Sequence, residues 1–401
     1  MNIAKRGVFF IFTLLLLVIP LLGQESSALP EDGRGGRPLR LENFRPQPTL
    51  VVPETKITEA KYRVVDMHTH FRLKLRTSEQ LDDFVQVMDR NGIALCVSLD
   101  GGLGEKLTEH LTFLQKKYPD RFAVFANIDW QGKANAKEPA AWDCNQEGFV
   151  HRTVEQLKEA KRQGAVGLKI FKTLGLEVKN ADGSLTRVDD PRWDPLWQTC
   201  GELGWPVLIH TADPIAFFQI IDEKNERWEE LHRHPEWSFY GGQVPTYAEV
   251  MEQFLRVLER HPKTNFIAAH LANTAEDLAT ASAWLEKYPN LFLDFASRIN
   301  ELGRQPYSAR KFLTKYQDRV LFGTDGPWPE TRIRLYWRFL ETFDEHFPYS
   351  EKEFPPQGLW RIYGVGLPAE VLKKIYSENA LSLMPAIRER YLRASEKLGS
   401  R

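Results

Sequence analysis

The stretch RVVDMHTHF, residues 63–71, is a short apolar run that ends in two histidines one residue apart. Successive side chains of a β-strand point to opposite faces, so His68 and His70 would share a face while Thr69 points away. Imidazole is the commonest side-chain metal ligand, and two rings on one rigid strand can bind one ion together. A pair of surface histidines at a strand end is the alternative, and the rest of the chain decides between them.

From residue 63 onward, short apolar runs alternate with longer amphipathic stretches. Eight of the runs predict strands: RVVDMHTH, IALCVSLD, RFAVFANIDW, AVGLKIFK, WPVLIHTAD, TNFIAAHLAN, NLFLDFASR and RVLFGTD. Apolar strands that are each followed by a helix are typical of a parallel sheet covered by helices. Eight such units predict an α/β fold, a (β/α)8 TIM barrel, whose active site would lie at the carboxyl ends of the strands.

The chain before this barrel has two parts of different composition. Residues 1–30 place two basic residues before an uninterrupted apolar run and a small, polar zone, which is the order of a secretory signal peptide with its cleavage zone. The apolar run is shorter than a spanning helix needs, so an uncleaved anchor is the less favoured alternative. Residues 31–62 predict a linker or extended N-terminal arm. The barrel is expected over residues 63–384 and a C-terminal helical tail over residues 385–401.

The composition limits the classes of partner. The 53 basic and 54 acidic residues nearly cancel, so no overall field attracts nucleic acid or an anionic membrane, and a small molecule is the expected partner. After cleavage of the leader we expect no stable membrane span and an exported protein, periplasmic or secreted. The 3 cysteines cannot form a fully paired disulfide framework, so stability must come from packing. The sequence leaves homo-oligomerisation open.

Polar residues interrupt five of the predicted strands at their carboxyl ends, where a barrel has its active site. They are His68 and His70, Lys169, His210, His270 and Asp325. Any one of these histidines alone could be a hydrogen-bonded core residue. Burying this many imidazoles and carboxylates at one rim without an ion would cost on the order of several kcal/mol, so together they predict a metal site.

Five motifs make the chain resemble the amidohydrolase superfamily, specifically the amidohydrolase-related family 2 group that includes enzymes similar to aminocarboxymuconate-semialdehyde decarboxylase. They are DMHTH, VLIHTADP, FIAAHLAN, LFGTDGPWP and IYSENALSL, and the resemblance covers residues 63–384. It implies a TIM barrel that holds one or two divalent ions, with Zn²⁺ as the expected ion, through His68, His70, His210 and Asp325. It also implies that His270 is a second-ion ligand or a proton-transfer and substrate-polarising residue.

Lys169 complicates the expected number of ions. Its run, VGLKIFK, resembles the segment around the carboxylated lysine that bridges two metals in urease and the dihydropyrimidinases, which would make Lys169 a ligand. Many family 2 members lack that lysine and use one ion. Alternatively, Lys169 is a cation that neutralises nearby carboxylates or binds an anionic substrate group, and both interpretations stay open at this point.

The other candidates would act in the reaction itself. Asp325 would coordinate the ion, accept the proton of the attacking water and pass it to the leaving group, while His270 would stabilise the developing oxyanion. Arg298 and Trp130 fall just past strand ends and are candidate substrate-binding residues. Ordinary rim packing or a surface salt bridge is the alternative for each of these two, although the guanidinium of Arg298 suits a substrate carboxylate.

The leading hypothesis is an exported metal-dependent hydrolase that activates water on a divalent ion to cleave a C–N or C–O bond of a small molecule. The alternative is a metal-dependent non-oxidative decarboxylase, which Arg298 favours, whereas a bridging Lys169 favours hydrolysis. A third hypothesis is an exported binding protein without turnover. Loss of ligands would be its signature, and each expected ligand position keeps its residue.

Cleavage of the predicted signal peptide can be tested by measuring the mass of the mature protein. If residues 1–30 hold a signal peptide and its cleavage zone, the mature protein should begin between about residues 23 and 30. Intact-mass measurement of protein from the native host would show this loss. A mass that still includes residues 1–22 would refute cleavage and support an anchor.

Overall fold

The computed structural model describes residues 30–352 and 356–399. The predicted signal peptide, up to residue 29, lies outside the described residues. Within the described ranges, no helix combines the length and the apolar character that crossing a membrane requires.

The chain divides into two compact units, Met1–Leu50 and Val51–Arg401. The described part of the first unit forms two short 3-10 turns, Arg34–Gly36 and Leu41–Asn43. The second unit contains all the predicted site residues.

Nine short strands of the described residues run parallel to their neighbours. They are β1 (Val64–Thr69), β2 (Ile93–Ser98), β3 (Phe122–Val124), β4 (Ala126–Asn127), β5 (Leu168–Ile170), β6 (Val207–Ile209), β7 (Phe266–Ala268), β8 (Leu291–Asp294) and β9 (Val320–Leu321). One sheet has the order β1-β2-β3 and the other the order β4-β5-β6-β7-β8-β9. The predicted α/β class with parallel strands is therefore confirmed.

Helices separate most of these strands. The longer ones are Ser78–Asn91, Glu105–Gln115, Phe149–Gln163, Asp194–Glu202, Tyr247–Arg260, Leu278–Lys287, Pro306–Lys315, Glu330–Glu341 and Arg388–Lys397. Shorter helical segments are Phe71–Lys74, Thr173–Leu176, Trp228–Leu231, Ile299–Leu302, Ala369–Lys373 and Asn379–Leu383. Capping boxes at Thr77 and Thr246 begin two of the long helices, because each threonine hydroxyl accepts the backbone N–H three residues later.

The structure differs from the eight-strand prediction in the third run, RFAVFANIDW, which forms two strands. Phe125 separates β3 from β4 and changes the hydrogen-bonding partner of the chain. Its N–H donates to Ser98 O of β2 at 2.8 Å, whereas the N–H of Ala126 donates to Gly167 O, next to β5, at 2.9 Å. One extended run therefore contributes to both sheets.

Backbone hydrogen bonds also join β1 to the residues just after β9. Met67 N–H donates to Phe322 O at 3.0 Å, and Asp325 N–H donates to His68 O at 2.8 Å. His70 N–H donates to Gly326 O at 2.6 Å. These bonds bring the first and last predicted strand ends side by side.

Two apolar clusters enclose the strands. Val64 belongs to the cluster that also contains the buried helix residues, whereas Val65 and Met67 belong to the second cluster. The second cluster includes Leu381 and Ile387 from the C-terminal part of the chain. The strands are thus buried on both faces, as their near-continuous apolar sequences require.

Candidate metal centre

Four predicted histidines form one ring cluster at the carboxyl ends of three strands. His68 lies in β1 and His70 follows it, while His210 and His270 follow β6 and β7. The ring centroids lie 5.3 Å apart for His68 and His70, 4.8 Å for His68 and His270, and 4.5 Å for His210 and His270. Imidazoles that are far apart in the sequence thus meet at one place.

Asp325 joins this cluster from the segment after β9. Its Oδ1 lies 3.6 Å from His68 Nε2 and 3.4 Å from His70 Nε2. Burial alone would raise the pKa of Asp325, but the neighbouring His68 and His70 help to hold it below its usual value. The close approach also needs Gly323, because a Cβ there would lie 2.9 Å from the Cβ of His68.

Carboxylates fix the orientation of the two histidines from β1. His68 Nδ1 lies 3.0 Å from Asp294 Oδ2, and His70 Nδ1 lies 2.6 Å from Asp100 Oδ1. An ionised carboxylate accepts hydrogen bonds, so each Nδ1 carries the proton and each Nε2 keeps a lone pair. Both lone pairs belong to the nitrogens that approach Asp325.

His270 takes its orientation from an unusual backbone turn. Four consecutive residues, His270 to Asn273, have φ between 53° and 57°, a left-handed conformation that costs a non-glycine residue roughly 1–2 kcal/mol. Asp294 Oδ1 accepts the N–H of His270 at 3.1 Å, and His270 Nδ1 donates to Ala296 O at 2.7 Å. Strain of this kind persists only where surrounding contacts hold it, and such turns are frequent at functional sites.

The bond from His270 to Ala296 bears on the predicted role of this histidine. A carbonyl oxygen can only accept, so Nδ1 carries the proton and Nε2 of the neutral ring has a lone pair. Burial lowers the pKa of His270 well below its usual value, and His210 and Arg298 add to this effect. The geometry therefore favours a ligand or proton acceptor over a donor to an oxyanion.

The donor atoms of His68, His70 and Asp325 fit a divalent ion. Separations of 3.4 and 3.6 Å exceed the usual hydrogen-bond distance. Ligands of a tetrahedral ion with bonds of about 2.0–2.2 Å lie roughly 3.3–3.6 Å apart, which agrees with these separations. A second group, formed by His68, His270 and Asp294, also has donor atoms within 4.8 Å of one another.

Among the described residues, none has hydrogen-bond geometry with two buried nitrogens beside this cluster, His210 Nε2 and Lys169 Nζ. Burial lowers the pKa of His210 to about 4 and that of Lys169 to about 8. Asp213 Oδ1 lies 3.4 Å from the same Nε2 atom of His210, without hydrogen-bond geometry. Leaving the buried Nζ of Lys169 unpaired is costly, so its presence supports a ligand at this place.

The two predicted substrate-binding residues lie in different cavities. Arg298 is buried and lines a cavity of about 600 Å³ together with His210, His270 and Asp325. Trp130 contacts Trp193, with ring centroids 4.9 Å apart, and lines another cavity of about 1160 Å³. The structure therefore brings Arg298, but not Trp130, into the cavity of the histidine cluster.

Sequence reasoning missed two carboxylates of the site. Asp100 follows β2 and Asp294 is the last residue of β8. Each ends an apolar run, in IALCVSLD and LFLD, as the predicted ligands do. The rule that selected His210 and Asp325 could therefore have found both.

Comparison with known proteins identifies the family of the chain. The family model described as Amidohydrolase matches residues 65–385. Among curated protein sequences, none matches the chain significantly.

Similar solved structures include three that cover most of the chain. One is a TIM-barrel protein from Bordetella bronchiseptica, with 17% identity, a TM-score of 0.47, and coverage of 83% of this chain and 99% of that one. The 2,6-dihydroxybenzoate decarboxylase from Rhizobium has 16% identity, a TM-score of 0.47, and coverage of 80% and 98%. The 4-oxalomesaconate hydratase from Rhodopseudomonas palustris has 14% identity, a TM-score of 0.46, and coverage of 84% and 100%.

The carboxylate of Asp294 should control metal affinity, because it contacts His68 and the backbone of His270. Asp294→Asn keeps the shape of the side chain but removes the negative charge opposite His68 Nδ1. We expect Zn²⁺ affinity to fall about 10- to 100-fold, the usual effect of changing a residue that orients a metal ligand. Titration of metal-free protein by calorimetry would measure this change.

Asp318→Asn provides the control, because Asp318 is exposed and pairs with Lys374 at 2.7 Å. It should leave the affinity unchanged. An Asp294→Asn protein that is folded and binds Zn²⁺ as tightly as the wild type would contradict the proposed role of Asp294.

Proposed function

Because the chain belongs to the amidohydrolase family, with a match over residues 65–385, we propose that it is a metal-dependent hydrolase that cleaves a C–N or C–O bond of a small molecule. The main support for the proposal is the position of the Asp325 carboxylate beside two imidazoles. Asp325 Oδ1 lies 3.4–3.6 Å from the Nε2 atoms of His68 and His70, and both atoms keep lone pairs. His210 would be a further ligand through its buried Nε2, whose contact with Asp213 Oδ1 at 3.4 Å lacks hydrogen-bond geometry.

The ion and the carboxylate of Asp325 would have different roles in the reaction. A divalent ion, with Zn²⁺ expected, would lower the pKa of a water molecule to about 7 and polarise a carbonyl oxygen. The carboxylate of Asp325 would accept a proton from the attacking water and return it to the leaving group. Its Oδ2 accepts a hydrogen bond from Ser297 Oγ at 3.3 Å, which helps to orient the carboxylate.

We also infer that the two parallel sheets form one closed (β/α)8 barrel. The backbone hydrogen bonds between β1 and the segment after β9 support closure on one side. The continuous chain from β3 through Phe125 to β4 supports it on the other. In such a barrel the carboxyl ends of all strands surround one active site, which agrees with the location of the histidine cluster.

A non-oxidative decarboxylase is the second candidate function, and Arg298 favours it. This buried side chain lines the cavity of the histidine cluster, and its Nε has no hydrogen-bond partner. A guanidinium in such a place suits a carboxylate. Both reactions would use the same metal ligands, so the ligands alone do not separate them.

A substrate panel would separate the two reactions. Metal analysis of the purified protein comes first, followed by assays with amides, lactones and aromatic carboxylic acids. Hydrolysis predicts incorporation of one oxygen atom from ¹⁸O-labelled water into the product, whereas decarboxylation predicts release of CO₂ without this incorporation. Turnover of the acids alone would overturn the hydrolase proposal, and no turnover would favour a binding protein.

Asp325→Asn tests proton transfer once a substrate is known. The amide keeps the shape and one oxygen but is not basic, so we expect a folded protein with partial metal occupancy and turnover reduced about 10²- to 10⁴-fold. His68→Ala is the comparison, because it should lower metal content instead. Wild-type turnover with full metal content in Asp325→Asn would show that Asp325 transfers no proton.

The expected number of ions depends on whether the side chain of Lys169 is carboxylated. Its buried Nζ has no hydrogen-bond partner, which favours a carboxylated, metal-bridging side chain over a paired cation. We therefore expect nearly two ions per chain in the wild type and a sharp fall in Lys169→Ala, measured by elemental analysis. A content near one ion that this substitution leaves unchanged would support the cation interpretation.

Export remains part of the proposal. It rests on the basic, apolar and small-polar order of residues 1–30, and the intact-mass measurement described above tests it.

A further inference from the structure

Several cations line the cavity of the histidine cluster, and some of them have no carboxylate partner among the described residues. Lys172 pairs with Asp213, and Arg227 pairs with Glu230 at 2.8 Å and with the buried Glu301 at 2.6 Å. Three other cations of the cavity wall form no ion pair with any residue of the described ranges. They are Arg298, Arg332 and Lys352.

Few carboxylates of the wall remain to balance these three cations. Asp325 faces His68 and His70 and would be used by the metal centre. Glu351 accepts a hydrogen bond from Thr331 Oγ1 at 2.8 Å. Glu351 keeps its negative charge, so the five cations of the described wall exceed its four carboxylates by one, and Arg298, Arg332 and Lys352 are the cations without a carboxylate partner.

Arg298 provides a buried donor group in this cavity. Arg298 is only 6% exposed. Its described side-chain hydrogen bond runs from Nη1 to Ser297 O at 2.9 Å. Nε is buried without a partner. A buried guanidinium with an unused N–H is costly unless a ligand accepts from it.

Arg332 provides a second donor group on another element of the wall. It lies on the helix Glu330–Glu341, and its guanidinium carbon lies 3.5 Å from the centroid of the Trp328 ring. Such a contact uses the face of the guanidinium and leaves its N–H groups free in the plane. Among the described residues, none accepts a hydrogen bond from this side chain.

We propose that this cavity binds small dicarboxylates, with one carboxylate on Arg298 and the second on Arg332, whose guanidinium is held against Trp328. Lys352 adds positive charge at the same wall. The inference deepens the proposed function, because it assigns the substrate class of the same site. Binding of this kind requires a ligand with two separated anionic groups. A site with a single carboxylate-binding arginine would require only one.

Calorimetric titration with isophthalate and benzoate tests the inference without any turnover. The two acids share a planar ring and differ by one carboxylate. We expect isophthalate to bind about 10- to 100-fold more tightly to the wild-type protein, because it gains one further charge-assisted contact. Arg332→Gln should remove this preference and leave benzoate affinity unchanged, whereas Arg298→Gln should weaken both ligands.

Arg334→Gln is the matched control. Arg334 lies on the same helix, bonds to Thr58 O and pairs with Glu330, and does not line the cavity. It should leave both affinities unchanged. If Arg298→Gln does not fold, Arg298→Lys tests the same contact, and Arg332→Lys should restore part of the preference.

Three results would overturn the inference: equal wild-type affinities for the two acids, no binding of either acid, or an Arg332→Gln protein that loses both equally. Failure of the hydrolase assays would leave these binding results unaffected. Conversely, failure of the binding tests would leave hydrolysis of an uncharged substrate open to the assays described above.

Discussion

The hydrogen bonds between β1 and the segment after β9 are the constraint on which the site depends. They join the backbone of Asp325 and Gly326 to His68, at the end of β1, and to His70, which follows it. Asp325 has φ of 63°, a left-handed conformation that disfavours residues other than glycine. The N–H of Asp325 and the carbonyl of Gly326 are both used in these bonds, so the strained conformation is held in place and the carboxylate reaches both imidazoles.

A buried acid reinforces the same connection. Asp66 accepts hydrogen bonds from the N–H of His68 at 3.1 Å and from Thr324 Oγ1 at 2.5 Å. Burial raises the pKa of Asp66 to about 7 despite these bonds. The candidate ligand His68 and Thr324, the neighbour of Asp325, are thus joined through one carboxyl group, and the positions of β1 and the last strand end depend on each other.

Much of the candidate site could be predicted, because its candidate ligands break a simple local pattern. A strand buried on both faces is apolar throughout, so an imidazole or carboxylate at its carboxyl end stands out in the sequence. The same pattern marks Asp100 and Asp294, but the sequence alone does not show that these carboxylates contact the Nδ1 atoms of histidines. The alternation of strands and helices likewise predicted the α/β class, although it did not reveal the change of partner at Phe125.

The sequence by itself determined the strand runs, the chemical identity of the donor atoms and the edge at which they occur, because these follow from local periodicity and residue type. Only the tertiary structure decided which nitrogen of each histidine keeps its lone pair. That choice depends on contacts such as the one between His68 and Asp294, residues 226 positions apart in the chain. It also decided that Arg298 shares a cavity with His270 while Trp130 lines another, because cavity walls are formed by elements whose mutual positions no local pattern specifies.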